Sequence, residues 1–189
     1  MPQGRLFVVA GPSGAGKGTL ISELLRRYPA VWLSISATTR KPRQGETDGV
    51  QYRFLSENEF GEMVAREDFL EWAEVHGNLY GTPAGGVLER LARGQDVILE
   101  IDVQGAKQVR EKMPEAVSVF VLPPSSAALE ERLRRRGTED EAELQQRLRN
   151  ALEECREKDE YQYVVVNDQL HRAADEFCAI YERESRLHE

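Results

Sequence analysis

The sequence predicts an α/β fold built on a parallel sheet. Short apolar runs of the buried-strand type alternate with helix-like stretches along most of the chain. The first run, from Leu6 to Ala10, passes through a glycine-rich turn into a helical stretch, and a later run, from Asp96 to Ile101, ends in acidic residues. A glycine-rich turn at the first crossover and an acid after a later buried strand are typical of parallel α/β domains.

The glycine-rich turn predicts a phosphate-binding site. Glycines allow positive φ and close approach of the backbone, so that successive N–H groups can converge on phosphate oxygens at the start of a helix. Lys17 adds a mobile positive charge for the β- and γ-phosphates. A strand before the turn, a helix after it and the lysine in register favour this interpretation over a plain turn. The candidate residues are Gly11, Pro12, Ser13, Gly14, Ala15, Gly16, Lys17, Gly18 and Thr19.

Gly18 departs from the general P-loop pattern. That pattern places a serine or threonine directly after the lysine, where its hydroxyl is a ligand of Mg²⁺. Here the next hydroxyl belongs to Thr19, one residue later. Since Mg²⁺ is commonly held by water, substrate phosphates and one carboxylate, the loss of this hydroxyl need not abolish catalysis.

Composition excludes several broad classes of protein. The chain has 189 residues, 40% of them hydrophobic, which is enough for one domain with a full core. A net charge of −8 argues against bulk adhesion to nucleic acid or to an anionic membrane. No apolar run approaches the roughly 20 residues that span a bilayer, so we expect a cytoplasmic protein. Cys155 and Cys178 are expected to be unpaired thiols, because no cysteine or histidine cluster accompanies them.

The core is predicted to comprise residues 1–33, 83–122 and 151–189. The first helix ends near Tyr28, because Pro29 lacks an amide donor and restricts the residue before it. Gly94 ends a second helix. The apolar patterns predict strands over residues 96–101, 117–122 and 163–167 and helices over 83–93, 104–113 and 170–187.

Two polar segments interrupt this core. Residues 34–82 are predicted to form an inserted lobe, with short strands around 51–55 and over 69–75 and a helix opened by a capping box at Ser56 and Glu59. Residues 123–150 are predicted to form two polar helices, the first capped by Ser125 or Ser126. We expect both segments beside the phosphate turn. Within and near the lobe, Trp32, Phe69 and Trp72 are expected in the core and His76 in a turn.

Arg40 and Arg43 are candidates for binding a second phosphate. They flank Lys41-Pro42 on a rigid extended turn, and two guanidinium groups can each bind a phosphate in bidentate fashion. Tyr52 and Tyr80 can add hydroxyl donors to the same phosphate.

These residues belong to a set of motifs that resembles guanylate kinase. The motifs are Ser36-x-Thr-Thr-Arg-x-Pro-Arg-x-Gly-Glu-x-x-Gly-x-x-Tyr52, Leu70-Glu-Trp-Ala73, His76-Gly-Asn-x-Tyr-Gly-Thr82 and Ile101-Asp-Val-Gln-Gly-Ala106. Together with the glycine-rich turn and Val165-Val-Asn-Asp168, they cover nearly the whole chain. Their order and spacing make the resemblance highly specific.

The resemblance implies a P-loop nucleoside monophosphate kinase fold, with a GMP-binding lobe over 34–82 and a helical lid over 123–150. It implies transfer of the γ-phosphoryl group of ATP to GMP or dGMP, giving ADP and GDP. Arg40, Arg43, Tyr52 and Tyr80 would hold the GMP phosphate, and Ser36, Glu71 and Thr82 would recognise guanine. A carboxylate at Glu71 can accept from N1–H and N2–H₂ of guanine, an arrangement that adenine does not present.

The resemblance leaves the roles of two acids open. Glu46 either contacts the nucleotide or only orients an arginine. Asp102 either organises Mg²⁺ through water or binds the ribose or base of GMP. Arg132, Arg136 and Arg147 match lid arginines expected to close over the transferring phosphoryl group, alongside Lys17 and Arg40. Asn167 matches a loop near the adenine of ATP.

Two alternatives to a guanylate kinase remain. One is a non-catalytic guanylate-kinase-like module that binds peptides or partner proteins, although Lys17, the complete turn and both phosphate arginines argue against it. The other keeps the fold but has a different phosphate acceptor, for instance a ribose bisphosphate. The expected partners are ATP, GMP or dGMP, with Mg²⁺ as cofactor and neither nucleic acid nor membrane. The sequence does not predict an oligomeric state.

Overall fold

The computed structural model describes residues 3–75, 77–135 and 141–186. These residues form an α/β fold, as predicted. The strands are β1 (Leu6–Ala10), β2 (Trp32–Leu33), β3 (Ala37–Thr38), β4 (Arg53–Phe54), β5 (Phe69–Val75), β6 (Asn78–Pro83), β7 (Val97–Glu100), β8 (Val117–Leu122) and β9 (Tyr163–Val166). The helices are α1 (Lys17–Arg27), α2 (Glu57–Ala65), α3 (Ala84–Ala92), α4 (Val103–Lys112), α5 (Ser126–Arg135), α6 (Glu141–Glu154) and α7 (Leu170–Arg186), with a 3₁₀ helix over Cys155–Glu160.

The central sheet has five strands in the order β2-β7-β1-β8-β9, and every pairing in it is parallel. All five residues of β1 are buried. Phe7 and Val9 pack in one cluster with side chains of α1 and α7, whereas Val8 and Ala10 pack in another with α3 and α4. Helices on both faces explain why this strand is apolar throughout and does not alternate.

A second sheet lies within the segment predicted as the inserted lobe. Its order is β4-β3-β6-β5, with β5 and β6 antiparallel and β3 parallel to β4. Phe60 from α2 and Phe69 from β5 stack at 4.5 Å between ring centroids and form a small core with Ala37. The predicted capping box at the start of α2 is confirmed, since the Ser56 hydroxyl accepts from the Glu59 N–H and the Glu59 carboxylate accepts from the Ser56 N–H.

The two polar helices predicted from residue 123 onwards are confirmed as α5 and α6. The Ser125 hydroxyl accepts from the Ala128 N–H, so Ser125 is the cap. Leu129 and Leu133 of α5 and Leu144 and Ala151 of α6 form a separate cluster. Within the described residues, none of the helices has the length and apolar character needed to cross a bilayer.

Several expectations need correction. The strands β2 and β3 have only two residues each and were not predicted, because their pairing partners and not their own sequence define them. Trp72 is 41% exposed and lies outside the core, whereas Phe69 is buried. Trp32 is half-buried, with the Arg90 guanidinium 4.1 Å above its ring. Cys155 and Cys178 are free, as predicted. His76 lies outside the described residues.

Candidate active site

The turn between β1 and α1 has the backbone that a phosphate site requires. Gly11 and Gly16 take φ of 141° and 92°, a region that other residues rarely adopt. A Cβ on Gly11 would lie 2.3 Å from the Val121 carbonyl oxygen, and one on Gly16 would lie 2.3 Å from Asn167 Nδ2. No side chain caps α1 at Gly16, so its first N–H groups are available to an anion.

Lys17 is folded back over this turn. Its Nζ donates to the Gly11 carbonyl oxygen at 2.6 Å and to that of Pro12 at 3.2 Å. The ammonium group is therefore centred on the turn where phosphate oxygens would approach.

The carbonyl of Ala15 is held from two other parts of the chain. Asn167, directly after β9, donates from Nδ2 to this oxygen at 2.8 Å. Arg132 of α5 donates to it from Nη1 at 3.2 Å and to the Asn167 carbonyl from Nη2 at 2.8 Å. Asn167 is 7% exposed. These two residues, predicted to bind ATP, thus brace the phosphate turn in this structure.

Two residues of α6 lie close to Ser13. Arg147 Nη2 donates to the Ser13 hydroxyl at 2.8 Å. The Glu154 carboxylate lies near the Ser13 N–H and near Lys17; burial nevertheless raises the pKa of Glu154, and both of these neighbours oppose that rise. Glu154 was not predicted, because a single acid at the end of a polar helix has no distinguishing sequence pattern.

Gly18 leaves room for a carboxylate of the central sheet. A Cβ on Gly18 would lie 3.5 and 3.6 Å from the two carboxylate oxygens of Glu100, the last residue of β7. Glu100 therefore faces the start of α1 at the position where the usual P-loop hydroxyl is missing. The sequence gives no local signal for this placement of Glu100, two residues before Asp102.

The Glu46 carboxylate forms an ion pair with Arg40. Arg40 donates to Glu46 from Nη1 at 3.0 Å and from Nη2 at 2.9 Å, and the Arg43 N–H donates to Glu46 at 2.7 Å. The Arg40 guanidinium lowers the pKa of Glu46, with a further contribution from that N–H. Glu46 thus holds the Arg40 guanidinium and the backbone of Arg43, whereas the Arg43 side chain is exposed.

The predicted tyrosines join the same cluster. The rings of Tyr52 and Tyr80 lie 6.0 Å apart edge to face, and the Arg40 guanidinium carbon lies 5.4 Å from the Tyr52 ring centroid. Burial raises the pKa of Tyr52 further above its ordinary value, at which the hydroxyl is already a donor at neutral pH. Arg40, Tyr52 and Tyr80 are thus brought together, and Arg43 is joined to them through its backbone contact with Glu46.

The residues predicted to recognise guanine lie across three neighbouring strands. Thr82 pairs with Glu71, and Ala37 pairs with Gly81, which places Ser36 opposite Thr82. The Thr82 hydroxyl donates to the Glu71 carboxylate at 2.5 Å. Glu71 is only 2% exposed, and burial raises its pKa to about 7, against the opposing effect of Thr82 and with a contribution from Asp102.

Asp102 caps α4 and lies towards this carboxylate. Its Oδ1 accepts from the N–H groups of Gln104 at 2.7 Å and Gly105 at 3.0 Å. Through its charge Asp102 raises the pKa of Glu71 and also that of Glu154, which lies near Lys17. Asp102 is therefore near both groups of candidate residues, and both of the roles left open for it stay predictions.

Arg136, predicted as a lid arginine, lies outside the described residues. Among the residues that are described, no group of three or more histidine, cysteine, aspartate or glutamate side chains is arranged to hold a metal ion.

Comparison with known proteins decides the family. Residues 3–184 match the family model described as guanylate kinase. The chain belongs to the guanylate kinase family. Members of this family are ATP:GMP phosphotransferases, so the central expectation from the sequence motifs is confirmed.

Individual relatives agree with this family. The chain is 53% identical over 180 residues to a guanylate kinase of Carboxydothermus hydrogenoformans, covering 95% of this chain and 88% of that one. It is 54% identical over 179 residues to a guanylate kinase of Symbiobacterium thermophilum, covering 95% and 85%. A crystal structure of guanylate kinase from Anaplasma phagocytophilum matches with a TM-score of 0.81 at 33% identity, over 98% of this chain and 88% of that chain. This match confirms the P-loop kinase fold.

The bracing of Ala15 yields a prediction for the guanylate kinase reaction. Asn167→Ala removes one of the two side chains on the Ala15 carbonyl and loosens the turn, so KM for ATP should rise about tenfold, the equivalent of ~1.4 kcal/mol. KM for GMP should stay within twofold. Steady-state kinetics with each substrate varied in turn measures both values. Gln169→Ala, an exposed change in the same connection, is the control; an equal rise in both KM values would contradict the local role of Asn167.

Proposed function

We propose that this chain transfers the γ-phosphoryl group of ATP to GMP with ATP on the turn after β1 and GMP on the lobe of residues 34–82. One observation carries this assignment of sites: the lobe holds a buried Glu71 carboxylate that accepts from Thr82, and Thr82 lies two residues along β6 from Tyr80, a member of the cluster around Arg40. A base-recognition group and a separate phosphate group on one lobe fit a nucleoside monophosphate. Glu71 fits guanine in particular, because it can accept from N1–H and N2–H₂.

On the ATP side, the N–H groups of residues 11–19 bind the phosphate oxygens, and Lys17 moves from the carbonyls of Gly11 and Pro12 to the β- and γ-phosphates. The Lys17 ammonium then exchanges hydrogen bonds to neutral carbonyl groups for stronger hydrogen bonds to charged phosphate oxygens. Arg132 and Asn167 keep the turn in shape and lie beside the nucleotide. Arg147, already at Ser13, and Arg136 supply positive charge to the transferring group.

On the GMP side, Arg43 and Arg40 bind the phosphate with the hydroxyls of Tyr52 and Tyr80. Glu46 holds the Arg40 guanidinium group in place. The Arg40 side chain therefore loses less conformational entropy when the phosphate binds. Ser36 and Thr82 donate to or accept from guanine beside Glu71, and Asp102 contacts the base or ribose. Phosphoryl transfer then depends on alignment of the two phosphates and on stabilisation of charge across the equatorial oxygens.

The residues around Gly18 suit a magnesium ion carried by ATP. Mg²⁺ prefers oxygen ligands and keeps several waters, and the Glu100 carboxylate faces the start of α1 where it can hold such waters. Thr19 offers a further hydroxyl nearby in sequence. When bound, Mg²⁺ neutralises charge on the β- and γ-phosphates. We assign Glu100 to holding the waters around Mg²⁺, and Asp102 to contact with GMP.

The division into a core (residues 1–33, 83–122 and 151–189), a GMP-binding lobe (34–82) and a lid (123–150) is part of the proposal. Separate apolar clusters in the lobe and lid support it. We propose that both close over the core when the two substrates bind, which excludes water and prevents hydrolysis of ATP. A cytoplasmic location, use of dGMP and the absence of nucleic-acid or membrane partners stay predictions.

Acceptor choice tests the proposed function directly. With ATP as donor, GMP should be phosphorylated at least about 100-fold faster, as kcat/KM, than AMP, CMP, UMP or TMP, because none of these presents adjacent N1–H and N2–H₂ donors to Glu71. A coupled assay of ADP release measures each rate. Equal rates across the panel, or a preference for a ribose phosphate without a base, would overturn the assignment.

Lys17→Ala distinguishes an enzyme from a binding module of the same fold. We expect kcat to fall by about 100-fold or more, because a positive charge on the transferring phosphate is lost. GMP binding measured by calorimetry should change less than threefold. The exposed Lys107→Ala serves as a control for loss of a lysine. Unchanged turnover in Lys17→Ala would exclude the proposed role of the turn.

The pKa of Glu71 predicts how GMP binding depends on pH. Since the ionised carboxylate is the acceptor for guanine and its pKa is about 7, affinity should be full above pH 8 and should fall by up to tenfold per unit below pH 7. Asp102 raises this pKa and Lys112 lowers it. Calorimetry from pH 5.5 to 8.5 measures the dependence. Glu71→Gln removes this step and leaves only the titration of the GMP phosphate, so identical profiles for the two proteins would refute the prediction.

A further inference from the structure

The strand β5, which carries Glu71, is the last strand of its sheet. It pairs with β6 on one side only, and α4 lies along its other edge. Alternate residues of an edge strand direct N–H and C=O groups away from the sheet, where they need other partners. In β5 these are the residues on either side of Glu71.

Two side chains of α4 form hydrogen bonds with the backbone groups at this edge of β5. Gln108 Nε2 donates to the Trp72 carbonyl at 2.7 Å, and its Oε1 accepts from the Trp72 N–H at 3.3 Å. One amide thus pairs with both backbone groups of a residue, as a neighbouring strand would. Lys112 Nζ donates to the Leu70 carbonyl at 2.6 Å.

A third residue of α4 controls the space beside the carboxylate. A Cβ on Gly105 would lie 2.3 Å from Glu71 Oε2 and 2.9 Å from its Cδ, so only glycine leaves room for the present position of the side chain. Residues 105, 108 and 112 are spaced by three and four, which aligns them on one face of the helix. This face is called the α4 stripe below.

We propose that the α4 stripe determines base specificity by positioning Glu71. Gln108 and Lys112 fix the backbone before and after Glu71, and Gly105 admits its carboxylate to the site. All three are positioning residues, since none of them is required to contact the substrate. The inference rests on the proposed function, in which Glu71 accepts hydrogen bonds from guanine.

Base recognition is the property most sensitive to the position of β5, because β5 carries Glu71. Two hydrogen bonds from a planar base to one carboxylate require a closely defined position of both oxygens. The groups proposed to bind the GMP phosphate lie elsewhere: Arg40 and Arg43 on the turn after β3, Tyr52 before β4 and Tyr80 on β6. A displaced β5 therefore weakens the contact to guanine and leaves the ATP turn unchanged.

The test compares GMP with IMP, whose base has N1–H but lacks the N2 amine. In the unaltered protein, kcat/KM should favour GMP, because the second donor reaches Glu71. Gln108→Leu and Lys112→Met should each reduce the GMP:IMP ratio by about tenfold, with KM for ATP within twofold of its original value. Gly105→Ala should reduce the ratio at least as much. Lys112→Arg, which still donates, should retain most of the ratio.

Matched controls separate positioning from general stability. Glu111→Gln changes an exposed residue of α4 outside the stripe and should leave the ratio unchanged. If Gln108→Leu and Lys112→Met lower activity with GMP and IMP in parallel, or leave both unchanged, the inference is overturned. These two variants decide the question even if Gly105→Ala does not fold.

Glu71→Gln distinguishes the inference from the proposed function. If it leaves the GMP:IMP ratio unaltered, the guanine assignment itself fails. If it lowers the ratio while the stripe variants do not, the assignment stands and the inference alone fails. If both lower it, Gln108→Leu in the Glu71→Gln background should add less than twofold, because the stripe acts through Glu71.

Discussion

The backbone of the phosphate turn is the constraint around which the core is arranged. Its N–H groups can receive an anion only while the left-handed conformations at the glycines persist. Asn167, directly after β9, and Arg132 of α5 donate to the Ala15 carbonyl, and Arg147 of α6 donates to the Ser13 hydroxyl. Three segments distant in sequence thus hold the turn.

This arrangement connects α5 and α6, the helices proposed as a lid, to the turn proposed to bind ATP. Arg132 and Arg147 are spaced along two helices that share their own apolar cluster, so a shift of the lid changes the contacts to Ala15 and Ser13 together. Because these contacts are polar and local, they can exchange for contacts to phosphate at little net cost in hydrogen bonds. The shape of the braced turn and the proposed closure of the lid therefore depend on the same contacts.

The burial of Glu71 illustrates a cost of recognition. Its folded-state pKa of about 7 lies above the ordinary value of 4.5, so the protonated form is favoured by folding. The corresponding stability is present below pH 4.5 and is lost as pH rises through 7. At neutral and higher pH the protein thus retains a partly desolvated charge, which accepts one hydrogen bond from Thr82 and, in the proposed complex, two more from guanine.

The sequence predicted the elements that carry strong local signals and missed those defined by tertiary contacts. The glycine turn, the capping box at Ser56 and the seven-residue β5 were all correctly predicted, since each rests on spacing within one segment. The two-residue strands β2 and β3 exist because of their partners. Trp72 lies between the buried Glu71 and Ala73 of β5, so the alternation of the strand directs it to the opposite, exposed face; only its apolar character suggested the core. The roles of Glu100, Glu154 and Gln108 depend on neighbours 36 or more residues away and leave no local pattern.

The connection from β7 to α4 lies between the turn after β1 and the edge of β5. Glu100 at the end of β7 faces Gly18 and the ATP turn, and Asp102, two residues later, caps α4 and faces Glu71. The stripe of α4 then holds the edge of β5. Strand β7, the Asp102 cap and helix α4 follow one another from residue 97 to 112, so one continuous segment contacts both the turn after β1 and the edge of β5. In-line transfer needs the donor and acceptor phosphates to be aligned, and in the proposed closed complex this segment contributes to that alignment because it contacts both proposed sites.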